Sequence, residues 1–309
     1  MKIGVVVDAS CDLPDAYIAA NGLVVVPGPI CFGDRTVLDR REPQETLDWY
    51  RRELTDRQLD ARTVAPAIAQ IRDLFLEDLV LRYDRILMLC MSASRGRVFS
   101  HATEASYEIL RGYRERRAAA GITEPFAMRV LDTRNIGPGE GILAQEAITM
   151  LDRHAPPFEK LRRAIKDRRQ HIVSYLVPDD LYFLRHRAVV KGDRAISPVA
   201  YWLGNWFDWK PLLEMRGGRT IVADRVRGFD AAVGAALERA RRAVRAGHVR
   251  RTITMSYGGD PRRLQDLPDF HDFEAFAVRR KIDLQVAVMS ATLAVNVGPG
   301  AFALAWLED

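Results

Sequence analysis

The residues of this chain that could do chemistry sit in four short polar stretches, each next to an apolar run. VDASCDLP holds Asp8, Ser10 and Asp12, and TVAP spans Thr63 to Pro66. MSASRGRVFSH holds Ser92, Ser94, Arg95, Gly96 and Arg97, and DTRNIGPGEG runs from Asp132 to Gly141. Hydroxyls, glycines and helix starts suit an anion. Free N–H groups at a helix N-terminus attract negative charge, and glycine lets a ligand approach the backbone. Arg95 and Arg97 would reinforce such a site. Taken singly, each Ser, Thr or Asp reads as a helix cap. Four such loops at one end of one sheet point to a shared site without naming its ligand.

Enzyme signatures do not accompany them. The chain has no GxSxG elbow, Walker A loop, HExxH pair or GxGxxG turn. His101 falls inside a helical pattern and reads as a surface or core residue. Asp8 and Asp132 stand at strand ends, where they could meet around a metal. The reading adopted is loop anchoring, each carboxylate accepting backbone N–H bonds. No catalytic residue, metal or cofactor is assigned.

These loops need a scaffold. KIGVVVDAS, GLVVVP, DRILMLCMS and FAMRVLDT are short apolar runs, read as buried strands. Between them lie helical patterns in EPQETLDWYRREL, PAIAQIRDLFLEDLVLRY and FSHATEASYEILRGYRERR, with GEGILAQEAITMLDRH after the last. Alternating strands and helices predict a parallel sheet covered on both faces, a three-layer α/β/α unit. Pro156 and Pro157 break the pattern and predict a boundary, giving units 1–156 and 157–309. After it come FEKLRRAIKDRRQ and FDAAVGAALERARRAVRAG as helices, with a third near FHDFEAFAVRR. HIVSYLVP, RTIVADRVRG, TITMSYG, IDLQVAVM and AFALAWLE read as strands. This half is expected to be an α/β domain with a mixed sheet and helices on one side. YWLGNWFDWKPLL places Trp202, Trp206 and Trp209 on one helical face, either as core or as an apolar wall for a ligand chain.

Composition narrows the class. A chain of 309 residues suffices for two cores, and a net charge of +5 spread through helices lacks the concentrated stripe of a nucleic-acid binder. Cys11, Cys31 and Cys90 form no metal-ligand spacing and read as buried hydrophobes in a reducing compartment. MKIGVVVDAS is too short an apolar run for a signal peptide, and no stretch of 18 apolar residues offers a membrane span. The expected location is cytoplasmic.

In this order, the loops resemble the DegV family of bacterial fatty-acid-binding proteins, over essentially the whole chain. VVVDASCDLP is similar to that family's Asp-Ser-Thr-x-Asp-Leu-Pro opening, and GLVVVPGPICFGDRTVLD to the strand and Asp-containing turn that follow, ending at Asp39. RTVAPAI resembles its Thr-Ser-Gln-Pro segment, and VLDTRNIGPGEGILAQEA its Gly-rich helix start. KGDRAIS, LGNWFDWKPLL, RVRG and NVGPGAFAL complete the set. The resemblance implies a two-domain fold with a fatty acid or similar acidic lipid between the domains. It also implies a non-catalytic carrier that presents the carboxylate to a partner fatty acid kinase.

Carried over residue by residue, Thr63 matches a head-group Thr. The family's head-group Ser falls on Gly96 without a gap and on Arg95 with one; Ser92 and Ser94 lie beside it. Asn296 stands where the family keeps a His before its terminal Gly-x-Gly, here Gly298 and Gly300. The tail would run along Ile68, Ile71, Trp202, Trp206 and Trp209, and a kinase would dock through Arg194, Arg225 and Arg227. An apolar sleeve suffices for affinity, since each buried CH₂ contributes about 0.8 kcal/mol. The alternative is an enzyme acting on a small phosphorylated or carboxylated metabolite through Asp8, Asp132 and the Arg of the third loop.

One repetition stands out: NIGPGEGILA at Asn135–Ala144 and NVGPGAFALA at Asn296–Ala305. The first reads as a helix start, the second as a strand entry. Both read as bends that let something come close.

Overall fold

The computed structural model describes residues 1–57, 60–186 and 208–309 in full, and 187–190 as helix backbone. The chain begins β1 (Ile3–Asp8), α1 (Asp15–Ala20), β2 (Val24–Val26), β3 (Gly28–Phe32), β4 (Arg35–Asp39). Next come α2 (Pro43–Trp49), widening to a π turn over Tyr50–Leu54, β5 (Ala61–Thr63), α3 (Ile68–Leu74), a second π turn and α4 (Val80–Arg82). β6 (Arg85–Cys90), α5 (Val98–Ala119), β7 (Ala127–Asp132), α6 (Pro138–His154) and α7 (Phe158–Arg168) follow. The rest runs β8 (Ile172–Val177), α8 (Leu181–Val190), β9 (Trp209–Arg216), β10 (Arg219–Arg227), α9 (Phe229–Arg245) and β11 (Val249–Tyr257). It ends with α10 (Pro268–Arg279), β12 (Asp283–Val288), α11 (Ala291–Val297) and β13 (Phe302–Glu308).

The four apolar runs of the first half form one all-parallel sheet, ordered β2-β1-β6-β7. Val6, Ile86 and Met88 face α3 and α5. Val5, Val7, Leu87 and Leu89 face α6 and α7. Both faces are apolar because both are covered, which is why these strands read as continuous hydrophobic runs. A six-stranded mixed sheet, β10-β9-β8-β13-β11-β12, holds the second half. Val173, Ile253, Leu304 and Trp306 on one face pack on α9 and α10.

The expectation of helices on one side of this mixed sheet is incomplete. Ile172, Ala305 and Leu307, pointing the other way, share a core with α6. Helix α6 touches β1 and β6 on one side and β8, β11 and β13 on the other. It is buried almost all round from Pro138 to Ile148, a span rich in Gly, Ala and apolar residues whose buried carboxyl, Glu140, accepts from Ser10.

A third, three-stranded antiparallel sheet, β4-β3-β5, has no counterpart in the sequence reading. Ile30 and Phe32 from it pack with Trp49, Tyr50 and Leu54 against Ala291, Ala294 and Val295 of α11. Thus α11 lies between this small sheet and the mixed one.

Candidate functional site

The polar loops are laced together by their carboxylates. Asp8 accepts the N–H of Ser10 at 2.8 Å and of Met91 at 2.7 Å, fixing the turn into the Ser92 loop. Asp132 does the same for Ala93 at 3.2 Å and Arg134 at 2.8 Å. The loop-anchoring reading of this pair is therefore what the geometry shows. Ser10 donates to Glu140 at 2.9 Å. Asp12 reaches across to the mixed sheet, accepting from Ser256 Oγ at 2.6 Å and from the Ser290 N–H at 2.8 Å. The Arg41 guanidinium lies 3.6 Å from it. Burial pushes the carboxyls of Asp8, Asp12 and Glu140 upward; Arg41 and the Ser256 bond oppose this at Asp12. Asp39 accepts both the N–H, at 2.9 Å, and the hydroxyl, at 2.8 Å, of Thr292.

These bonds fix the start of α11, whose N-cap Ser290 accepts the Leu293 N–H at 3.1 Å. One turn further on, Asn296 Nδ2 donates to Thr63 Oγ1 at 3.4 Å and to the Thr292 carbonyl at 2.9 Å. Thr63 pairs with Ile30 in the small sheet, and Ala61 lies two residues back on the same face of β5. Ala61, Val295, Leu54, Phe183, Tyr182 and His186 line a pocket of about 20 Å³. The Thr63–Asn296 pair thus adjoins a pocket with largely apolar walls. Arg57 and Asp56 stand at its rim, with Arg57 ion-paired to Asp180 at the head of α8.

Each Gly-Pro-Gly bend has a packing reason. Gly137, at φ +58°, sits where a β-carbon would lie 2.8 Å from Leu293 Cδ2 and 3.2 Å from Asp12 Oδ2. Gly298, at φ +93°, sits where one would lie 2.8 Å from Phe183 Cδ2. Both conformations and both distances favour glycine. The first bend opens α6 and brings the first sheet against α11; the second leads into β13 and seats α8.

A family model described as uncharacterised protein, DegV family COG1307, matches residues 2–309. The chain belongs to the DegV family. A DegV domain-containing protein of Xanthomonas campestris pv. campestris is 37% identical over 309 residues, covering 100% of this chain and 98% of the relative. One from Deinococcus radiodurans is 25% identical over 98% of this chain and 96% of its own length. Among solved structures, a DegV lipid-binding protein of Thermotoga maritima superposes with TM-score 0.77 at 20% identity, over 99% of each chain. A stearic-acid-binding protein of Eubacterium ventriosum superposes with TM-score 0.79 at 17% identity, over 99% of this chain and 98% of its own. These show the DegV two-domain fold.

On this DegV chain the residues singled out from the sequence separate into groups. Thr63 and Asn296 bond to each other beside the pocket residues Ala61 and Val295, and Gly298 lies against Phe183 of its wall. Gly300 seats Asp179 in the loop before α8. Ser92 is buried, its hydroxyl 3.0 Å from that of exposed Ser94. Gly96 lies beside Met91, and Arg95 donates to Thr220 on β10. The Ser92 loop and the Thr63 segment border the same helix: His101 in the first turn of α5 contacts the Pro66 carbonyl at 2.9 Å.

The expected tail residues stand apart from this pocket. Ile71 is fully buried and Ile68 partly buried in the core between α3, α5 and the parallel sheet. Their helical spacing is the core-facing stripe of α3. Trp209 begins β9 and is 42% exposed. Arg194, Trp202 and Trp206 lie outside the described residues. Arg225 and Arg227 are exposed on β10, an edge strand, two residues apart on one face. Leu54, Ala61, Phe183 and Val295 were missed. The Ser290 cap was the signal for α11, and Val295 and Asn296 follow from it.

Proposed function

We propose that this DegV chain is a fatty-acid or acidic-lipid carrier, held between two α/β units divided at Pro156 and Pro157. The supporting observation is the Thr63–Asn296 hydrogen bond beside the pocket walled by Leu54, Ala61, Phe183 and Val295. The Thr63 hydroxyl and the Asn296 amide are neutral donors suited to a carboxylate, and the apolar wall suits a methylene chain. Ser92, Ser94 and Arg95, across the start of α5, extend the polar end, and the Gly298–Gly300 backbone closes it. DegV proteins from Thermus thermophilus and Bacillus subtilis are described as fatty-acid-binding, which supports the same class of ligand.

The pocket of about 20 Å³ is far smaller than the roughly 300 Å³ at which ligand pockets begin. Phe183 and His186 on α8 are the wall that gives way to an acyl chain. The protein itself does no chemistry in this reading; it hands the carboxylate to a partner kinase docked on the face of Arg225 and Arg227. Asp8 and Asp132, the residues of the rival enzyme reading, are engaged with backbone N–H groups.

The test is uptake of a long-chain fatty acid by the delipidated protein and by its Thr63→Val, Asn296→Leu double variant. The double variant is expected to bind about tenfold to a hundredfold more weakly, since two head-group hydrogen bonds are lost. Equal affinity in the two proteins would remove the head group from this position.

A further inference from the structure

Three guanidinium groups crowd one aromatic ring on the outer helix layer of the mixed sheet. Arg241 and Arg245 of α9 and Arg280, just past α10, stand 5.4, 5.6 and 5.8 Å from the centre of the Phe276 ring. A ring has two faces, so three cations cannot each have one. Arg241 and Arg245 are also four apart on one helix, a spacing at which like charges destabilise.

Little negative charge reaches the group. Glu238 lies 3.7 Å from Arg241 Nε, too far for a hydrogen bond, and is shared with Arg242 at 3.2 Å. Arg241 Nε is buried without an acceptor. Among the described residues, Arg245 and Arg280 pair with no carboxylate. Exposed Arg279 and Lys281 add further positive charge beside them. Helices α9 and α10 both end here, at Arg245 and Arg279, and helix C-termini favour cations. That accounts for a cation at each helix end, but not for three on one ring.

We propose that Arg241, Arg245 and Arg280 form a phosphate-binding site. Guanidinium forks match phosphate oxygens bidentately, and one phosphate has enough oxygens to bridge several forks, where a carboxylate has only two. The phosphate comes either free in solution or on a lipid head group. The site shares no residue with the Thr63–Asn296 pair and does not depend on the fatty-acid reading.

The test uses the full chain and its Arg245→Gln, Arg280→Gln double variant. Both positions are exposed, and circular dichroism checks that the fold is kept. Titration with inorganic phosphate at constant ionic strength, followed by ³¹P NMR, is expected to saturate with the native protein. The double variant is expected to bind at least about tenfold more weakly. Sedimentation with phosphatidylcholine vesicles, with and without phosphatidylglycerol, separates the two sources. Retention that needs both phosphatidylglycerol and the two arginines assigns the lipid head group. Phosphate binding without vesicle retention assigns the free anion. Neither binding nor retention, equal behaviour of the two proteins, or an equal loss in Lys281→Gln would each overturn the proposal.

Discussion

Phe183 of α8 occupies the space that a side chain at position 298 would need, 2.8 Å from the place of a β-carbon. The terminal Gly-Pro-Gly bend is therefore what lets α8 close on α11. Gly298→Ala is expected to lower the unfolding free energy by about 2 kcal/mol, from the clash and from the left-handed backbone together. Adding Phe183→Ala should return the steric part and leave the backbone part. A urea-unfolding double-mutant cycle measures both; purely additive losses would contradict the contact.

The buried carboxylates set the direction of the pH response. Burial raises the Glu140 carboxyl well above its ordinary 4.5, and neighbouring Asp8 adds to the effect. A carboxyl raised in the folded state holds its proton more tightly there than in the unfolded chain. Its contribution to stability is therefore full below the ordinary value and is lost as pH rises through it towards the folded value. Glu140→Gln removes this titration and can keep the bond from Ser10. The variant should match the native protein near pH 4 and gain on it by up to about 1.4 kcal/mol per pH unit above that. Urea unfolding between about pH 4 and 8 checks this; stability curves that stay parallel would contradict it.

Asn296 gives the candidate head-group site a neutral amide. Asn296→His places a group there that titrates near pH 6.5, about the unperturbed value for histidine. Fatty-acid affinity of the variant should rise more steeply than that of the native protein as pH falls through that interval. A competition assay on both proteins at several pH values is the measurement. Parallel profiles for the two would place the carboxylate elsewhere.

The exposed pair on the edge strand can be tested separately from the pocket. Arg225→Glu with Arg227→Glu should leave lipid uptake unchanged and abolish phosphorylation of the bound acid by a partner kinase. Unchanged phosphorylation would move the docking face away from β10.

The parallel sheet was legible because strands buried on both faces must be continuous apolar runs, as in Val5–Val7 and Ile86–Cys90. The small sheet was not: Gly28, Pro29 and Gly33 interrupt the apolar pattern, and β5 has only three residues. Helix α6 was found as a helix but not as a layer between two sheets, because periodicity reports one buried face and α6 has more than one. At the candidate site, Thr63, Asn296 and Gly298 were singled out by their order along the chain, and the fold brings Thr63 and Asn296 into contact. The apolar wall was not, since Ala61, Phe183 and Val295 come from three distant segments that only the packing of α8 and α11 brings together. Spacing alone does not separate a core stripe from a ligand wall at Ile71, since both are buried apolar faces.

The central claim is that a fatty acid sits in this protein, and native mass spectrometry tests it most directly. Protein purified under mild conditions is expected to carry the added mass of one acyl chain, and emptied protein to regain it when offered fatty acid. Protein that is empty from the start and stays empty when offered a range of chain lengths would contradict the account.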